Sequence, residues 1–239
     1  VRSGKTSDAL ATVLRDRILA GEFLEGSPLP SERELVDQTG LGRGSVREAF
    51  RVLEVEGLVR TTLGRNGGTF TTTPSEAGLA RLISIFVRGR NVPARALIEA
   101  RMAIESGLAF HAALNRTDED VADLESACSA LSDAADGEHF AQRNLEWHYC
   151  VARASHNELL VAFLSSISSA ITRESLDHAK AFEAGPITDI RNAVLRAHTG
   201  ITVAIVSGDA AAAKRRMERH LGAYGDSVSA HAGSGLTSP

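Results

Sequence analysis

The chain has 239 residues, 43% of them hydrophobic and 23% charged, which is enough for two modest domains with separate cores. No run of about 18 apolar residues exists, so no membrane-spanning helix is expected, and no basic-then-apolar segment suggests a secretory signal. The formal net charge of −4 advertises no nucleic-acid partner, and Cys128 and Cys150 lack CxxC or zinc-finger spacing, so they read as small buried hydrophobes of a reducing cytoplasm.

In chain order, residues 1–6 carry no pattern and are expected to be disordered. A helix is expected from about Ser7 to Ala20, turning Leu10, Val13, Leu14 and Ile18 to a core, with Gly21 as its stop. Pro28 and Pro30 hold the next segment extended. Ser31 and Glu34 form an S-x-x-E capping box that opens a helix to about Thr39, and Gly40 ends it. A second helix runs from about Arg43 to Glu56. Its apolar stripe is Val46, Ala49, Phe50 and Leu53, while Arg43, Arg47 and Arg51 recur every four residues on another face. The β-branched runs Leu58–Thr62 and Thr69–Thr73 flank Gly64-Arg65-Asn66-Gly67-Gly68, and Asn-Gly is the strongest short hairpin signal.

Two short helices joined by a tight turn, the second bearing arginines and followed by a hairpin, read as a winged helix-turn-helix on double-stranded DNA. Arg65 at the wing tip would reach a groove or a phosphate. The competing reading is a solvated arginine face partly neutralised by Glu48; the hairpin argues against it. Residues 1–74 hold ten Lys/Arg and ten Asp/Glu, so clustering must carry the argument. Glu22, Glu25, Glu54 and Glu56 are expected to lie outside the arginine surface.

Thr73-Pro74-Ser75-Glu76 is a further capping box with proline at the first helical position, and the domain boundary is drawn there. Beyond it only helices are expected. Leu79, Leu82, Ile83 and Phe86 define one. Pro93 starts the next, which runs through Leu97, Arg101, Ile104 and Leu108 to about Leu114. Thr117 and Asp120 cap a third with stripe Val121, Leu124, Cys128 and Leu131. A fourth spans about Glu138–Ser155. Asn157 caps a fifth, with Leu160, Phe163, Leu164, Ile167 and Ile171 inward. The sixth covers about Ile187–Val206, and Asp209 caps a seventh that ends near Tyr224, leaving a loose Ser/Gly/Ala-rich tail at 227–239.

Three histidines share helix faces with apolar residues: His148 with Phe140, Trp147 and Val151, His198 with Val194, Ile201 and Ile205, and His220 with Met217, Leu221 and Tyr224. Asn144 leaves the same surface as His148, one turn earlier. Singly, each histidine is more often a core residue bonded to a carbonyl. Jointly, a shared divalent cation would satisfy them at once, and spacing alone leaves both readings open. No free Glu or Asp neighbours these histidines along their own helices to act as a general base.

Residues 7–73, through ILAGEFLEGSPLPSERELVDQTGLGRGSVREAFRVLEVEGLV and the wing GRNGGTF, resemble the winged helix-turn-helix of the GntR family of bacterial transcription regulators. The resemblance implies that Arg33, Arg43 and Arg47 are the principal DNA contacts, helped by Ser45 and the wing glycines, Gly67 among them. Gly42 stands where the family usually has Ser or Thr, so a hydroxyl contact to phosphate is lost. Residues 76–226 resemble the FCD effector domain of the FadR-like branch. Its signature is Asp-x-x-x-His, a histidine in the penultimate helix, and a final Met-x-x-His-Leu. Here those positions read Asn144, His148, His198 and His220, the last within MERHL. This implies a divalent metal, zinc first with nickel or manganese as alternatives, at a site where a neutral amide replaces the family's aspartate. Arg101 in ARMAIES lies where the family places an effector-cavity arginine, which would fork onto a carboxylate.

The expectation is therefore a mainly α protein: a winged helix-turn-helix with a small β-hairpin wing at 7–73, an all-helical bundle for ligand binding and dimerisation at 74–226, and a flexible tail. It would be a cytoplasmic homodimer without catalytic residues, a repressor on a palindromic operator released by a small organic acid. Two rivals are a metal-dependent hydrolase fused to a DNA-binding module, and a regulator whose histidines bind the ligand without metal.

Overall fold

A computed structural model describes residues 2–64, 67–175 and 187–234. The chain divides into two compact units, Val1–Gly78 and Leu79–Pro239.

The first unit begins with α1 (Arg2–Leu19), which packs on α3 (Arg43–Val55). Helix α1 starts earlier than expected, since residues 2–6 are already helical. Its inward seam is Leu10, Ala11 and Leu14, whereas Val13 is 54% exposed, since it lies roughly 100° around the helix from the middle of that seam. Helix α2 (Glu32–Thr39) opens on the expected capping box, with the Glu34 amide donating to Ser31 Oγ at 3.3 Å and the Ser31 amide to the Glu34 carboxylate at 2.7 Å. Gly40 closes it at φ 70°, a left-handed conformation that a side chain would strain. The stripe Val46, Ala49, Phe50 and Leu53 of α3 is fully inward.

Strands β1 (Val59–Thr62) and β2 (Gly68–Thr71) pair antiparallel, Val59 opposite Thr71 and Thr62 opposite Gly68. The Asn66 position of the wing turn lies outside the described residues. Gly67 is held by close approach, because a Cβ there would stand 2.5 Å from the Thr62 carbonyl oxygen. The extended segment ahead of α2 does more than connect. The Leu29 amide donates to the Thr69 carbonyl at 2.8 Å and the Thr71 amide to the Ser27 carbonyl at 2.9 Å, so this segment backs the wing along β2.

In the second unit α4 (Glu76–Gly89) turns Ser84 and Val87 inward, with Ile83 half-buried against them. Leu82 and Phe86, expected inward, are 65% and 58% exposed. The seam runs one residue further along the helix, which rotates both outward. Helix α5 (Ala94–Asn115) is central and packs on α7 (Gly137–Ala154), α8 (Glu158–Ser175), α9 (Ile187–Val206) and α10 (Ala210–Ser234), while α6 (Asp118–Ser132) covers α7 and α9. The Thr117–Asp120 capping box forms, Asn157 Oδ1 accepts the Leu160 amide at 3.1 Å, and Asp209 caps α10. Leu164 and Ile167 of α8 are buried; the Ile171 side chain lies outside the described residues. Helix α10 continues past Tyr224 to Ser234, so the segment expected to be loose from residue 227 is helical to that point.

Candidate DNA-binding surface and histidine centre

On α3 the inward stripe forces the other face outward, and Arg43, Arg47 and Arg51 are all exposed. Arg43 has no ion pair among the described residues. The Arg33 guanidinium on α2 stands 3.9 Å from Asp37, and Arg51 stands 3.7 Å from Glu48. Such exposed pairs are worth well under about 1 kcal/mol and yield readily to phosphate. Arg47 is held more firmly: its Nε donates to both oxygens of Glu32 at 2.8 and 3.0 Å. That bond occupies one edge of the guanidinium and leaves the terminal Nη groups for another acceptor. Glu32, which was not among the carboxylates expected to lie outside the arginine surface, thus sits on it. Ser45 is half-buried in the first turn of α3, and Gly42 caps that helix with no side-chain bond. Arg65 lies outside the described residues.

The three histidines converge. His148 from α7, His198 from α9 and His220 from α10 bring one ligand nitrogen each to within 4.8 Å of one another. His198 Nε2 and His220 Nε2 are 3.0 Å apart, and the ring centroids of His148 lie 5.1 and 5.5 Å from those of His198 and His220. The sole tryptophan, Trp147, is fully buried, stacks on His198 at 3.8 Å and donates from Nε1 to Thr202 Oγ1 at 3.0 Å. It is the wall against which the His198 plane is set. Asn144 is half-buried one turn before His148, and no hydrogen bond ties its amide to the imidazoles.

Two residues of α5 complete the cluster. Glu105, 1% exposed, accepts from Arg101 Nε on one oxygen and from His148 Nδ1 on the other. Arg101 is 8% exposed, and its Nη2 is buried with no hydrogen-bond partner, as is His198 Nδ1. The sequence reading sought carboxylates only along the histidines' own helices, and Glu105 lies on another. The missed signal was the four-residue spacing of Arg101 and Glu105 along the inward stripe of α5.

The electrostatics follow from these contacts. Burial alone would raise the Glu105 pKa, but Arg101 and His148 outweigh it and bring the group down to about 2. Burial lowers His148, with Glu105 opposing in part. Burial, then the neighbouring His148 and His220, push His198 far down; burial and His148 take His220 to about 3. At neutral pH the cluster is three uncharged imidazoles beside an ionised carboxylate. Both oxygens of that carboxylate are engaged, so it is poorly placed to act as a general base.

A family model described as bacterial regulatory proteins, gntR family, matches residues 6–70, and one described as the FCD domain matches residues 96–223. The chain is 28% identical over 221 residues to the putative L-lactate dehydrogenase operon regulatory protein of Escherichia coli K12, covering 91% of this chain and 84% of that one. It is 28% identical over 202 residues to the HTH-type transcriptional regulator LutR of Bacillus subtilis, covering 84% of this chain and 91% of the relative. A solved structure of Streptococcus agalactiae GntR superposes with a TM-score of 0.67 at 24% identity, covering 94% of this chain and 99% of that one, and so shows the same fold.

Proposed function

This chain belongs to the GntR family of bacterial regulatory proteins and carries an FCD domain, and from that premise we propose that it is a repressor released from its operator by a small carboxylate. It is a ligand-responsive, DNA-binding transcription regulator rather than an enzyme. The observation that carries the proposal is Arg101, a buried guanidinium with an unpartnered Nη2 beside three neutral imidazoles. A carboxylate is the ligand class that such a donor set recognises.

On the DNA side, Arg33, Arg43 and Arg47 are read as the main contacts, with Ser45, Arg65 and Gly67 in support. A single winged module buries only about 600–1,000 Å² of protein surface. A homodimer on a palindromic site makes up the deficit through two-fold symmetry. The formally neutral charge of residues 1–74 implies weak non-specific binding, since that term follows phosphate neutralisation. No helix among the described residues is long and apolar enough to cross a membrane, and a cytoplasmic location follows from the DNA partner.

For the cation, the donors are His148, His198 and His220, with the Asn144 amide as a weak fourth. The fit is good in donor type and loose in distance. Tetrahedral ligands about 2.0–2.1 Å from zinc stand about 3.3–3.4 Å apart, against 3.0 Å for one pair here and up to 4.8 Å across the three. Three nitrogens without a carboxylate favour zinc or nickel over manganese. Bound there, the ion would supply a positive centre for the effector's carboxylate. The relative named for an L-lactate dehydrogenase operon is consistent with a short hydroxy acid as effector.

Fluorescence anisotropy on DNA from upstream of the chain's own gene, titrated with L-lactate and other short hydroxy acids, tests the reading. Release by one of them, abolished in Arg101→Leu, is the expected result; a variant that still releases at wild-type effector concentration removes Arg101 from the site. A metal-free reading, with the histidines as direct ligand contacts, draws support from the 3.0 Å approach of His198 Nε2 to His220 Nε2, a hydrogen bond that pairs these two nitrogens without an ion. Elemental analysis of protein purified without chelator separates the two.

A further inference from the structure

Glu105 is a buried charge that neither DNA binding nor the ligand set accounts for. The bland account is a buried ion pair four residues apart on one helix, with His148 a bystander. Two observations count against it. A carboxylate and a guanidinium gain most as a two-bond fork, yet Arg101 uses only Nε, on one oxygen, and its Nη2 goes unbonded. The second oxygen is given instead to His148 Nδ1. Glu105 therefore forgoes the better pairing with arginine to hold an imidazole from another helix.

The consequence for His148 is specific. A carboxylate ionised by Arg101 can only accept, so Nδ1 carries the proton and Nε2 keeps the lone pair. With Nδ1 occupied, Nε2 is the atom left for the centre shared with His198 and His220. Glu105 is also the one carboxylate bonded to the cluster among the described residues. We propose that Glu105 is the positioning residue of the histidine centre, fixing His148 as its Nδ1–H tautomer and supplying from outside the ligand shell the negative charge that Asn144 lacks within it. Its bearing on metal affinity rests on the cation reading above; its bearing on the tautomer does not.

The test uses the full chain. Long-range 1H–15N spectra of the metal-free, 15N-labelled protein report the His148 tautomer, and competition against a chromophoric chelator reports zinc affinity. Because Glu105 removed alone leaves Arg101 uncompensated, the comparison is made with Arg101 replaced. R101M is expected to keep the Nδ1–H tautomer and to bind zinc at least as tightly as wild type, having lost a nearby like charge. R101M/E105L should show a mixture of tautomers and a roughly 10–100-fold loss of zinc affinity, the range usual for the outer partner of a ligating histidine. R101M/E105Q, which keeps an acceptor but not the charge, should recover the tautomer and only part of the affinity, and it also answers if R101M/E105L fails to fold. A His148 still wholly Nδ1–H in R101M/E105L, or scrambled already in R101M, overturns the assignment. A wild type that takes up no zinc defeats the cation reading instead, and the tautomer alone then decides on Glu105.

Discussion

Acidifying the metal-free protein from pH 7.5 to pH 5 should unfold the helical unit more easily, and His220 is one of the groups responsible. Burial, then the neighbouring His148, lowers the His220 pKa from 6.5 to about 3 in the folded chain, and His148 and His198 shift in the same direction. A histidine with a depressed folded pKa takes its proton first in the unfolded chain. For His220, stability is therefore unaffected above about pH 6.5 and falls by about 1.4 kcal/mol per pH unit as pH drops from there toward about 3. At pH 5, about 1.5 pH units below the unfolded value, His220 alone costs about 2 kcal/mol. Glu105, depressed from 4.5 to about 2, contributes stability that is present above 4.5 and lost only below it. The window between pH 6.5 and 5 thus reports the histidines. Against a typical total of about 5–15 kcal/mol, the loss is large. Urea unfolding followed by Trp147 fluorescence is the assay, since the only tryptophan is stacked on His198. His220→Gln should lose about 2 kcal/mol less between the two pH values than wild type does. Parallel pH profiles for the two proteins would refute the reasoning.

On the DNA surface, Arg47→Ala should cost about 1–3 kcal/mol and relax preference at one base pair if it reads a base edge, whereas Arg51→Ala should cost less; footprints of equal strength for Arg47→Ala and wild type would sink the recognition-helix assignment. Operator affinity should depend on dimerisation, so sedimentation showing a monomer at micromolar concentration with full operator affinity contradicts the dimeric reading. Asn144→Asp should tighten zinc, while His198→Ala should lose it in either background, since two imidazoles leave too few strong donors; elemental analysis reads both.

The helix-turn-helix was legible because its signals are local. The Ser31 box, Gly40 and the four-residue apolar stripe of α3 each act within a turn or two of chain, and tertiary packing has no reason to override them. Stripes in α1 and α4 were legible only to within one residue. Val13, Leu82 and Phe86 are as apolar as their inward neighbours, and a periodicity argument cannot tell which edge of a wide stripe the rest of the core will cover. The pairing of residues 26–29 with β2 was invisible for another reason: the partner is the backbone of β2, and backbone hydrogen bonds leave no side-chain signature.

The histidine centre divides along the same line. His148, His198 and His220 could be found because each is a polar residue on an apolar helix face, a contradiction visible in one helix at a time. Glu105 could not be found that way, since beside Arg101 it resembles any surface pair spaced four residues apart, and only the packing of α5 against α7 shows that the pair is buried. The substitution at Asn144 then takes on a different meaning. Read along α7 alone, it is a lost negative charge and a weakened cation site. With Glu105 in place, a carboxylate still acts on the cluster through His148 Nδ1, and the position vacated by an aspartate is neutral ground one turn away. A site arranged in this way keeps its imidazoles oriented while leaving more net positive charge for an incoming anion. With a cation bound and a carboxylate as effector, as proposed above, that trade would favour the effector over the tightness of the cation.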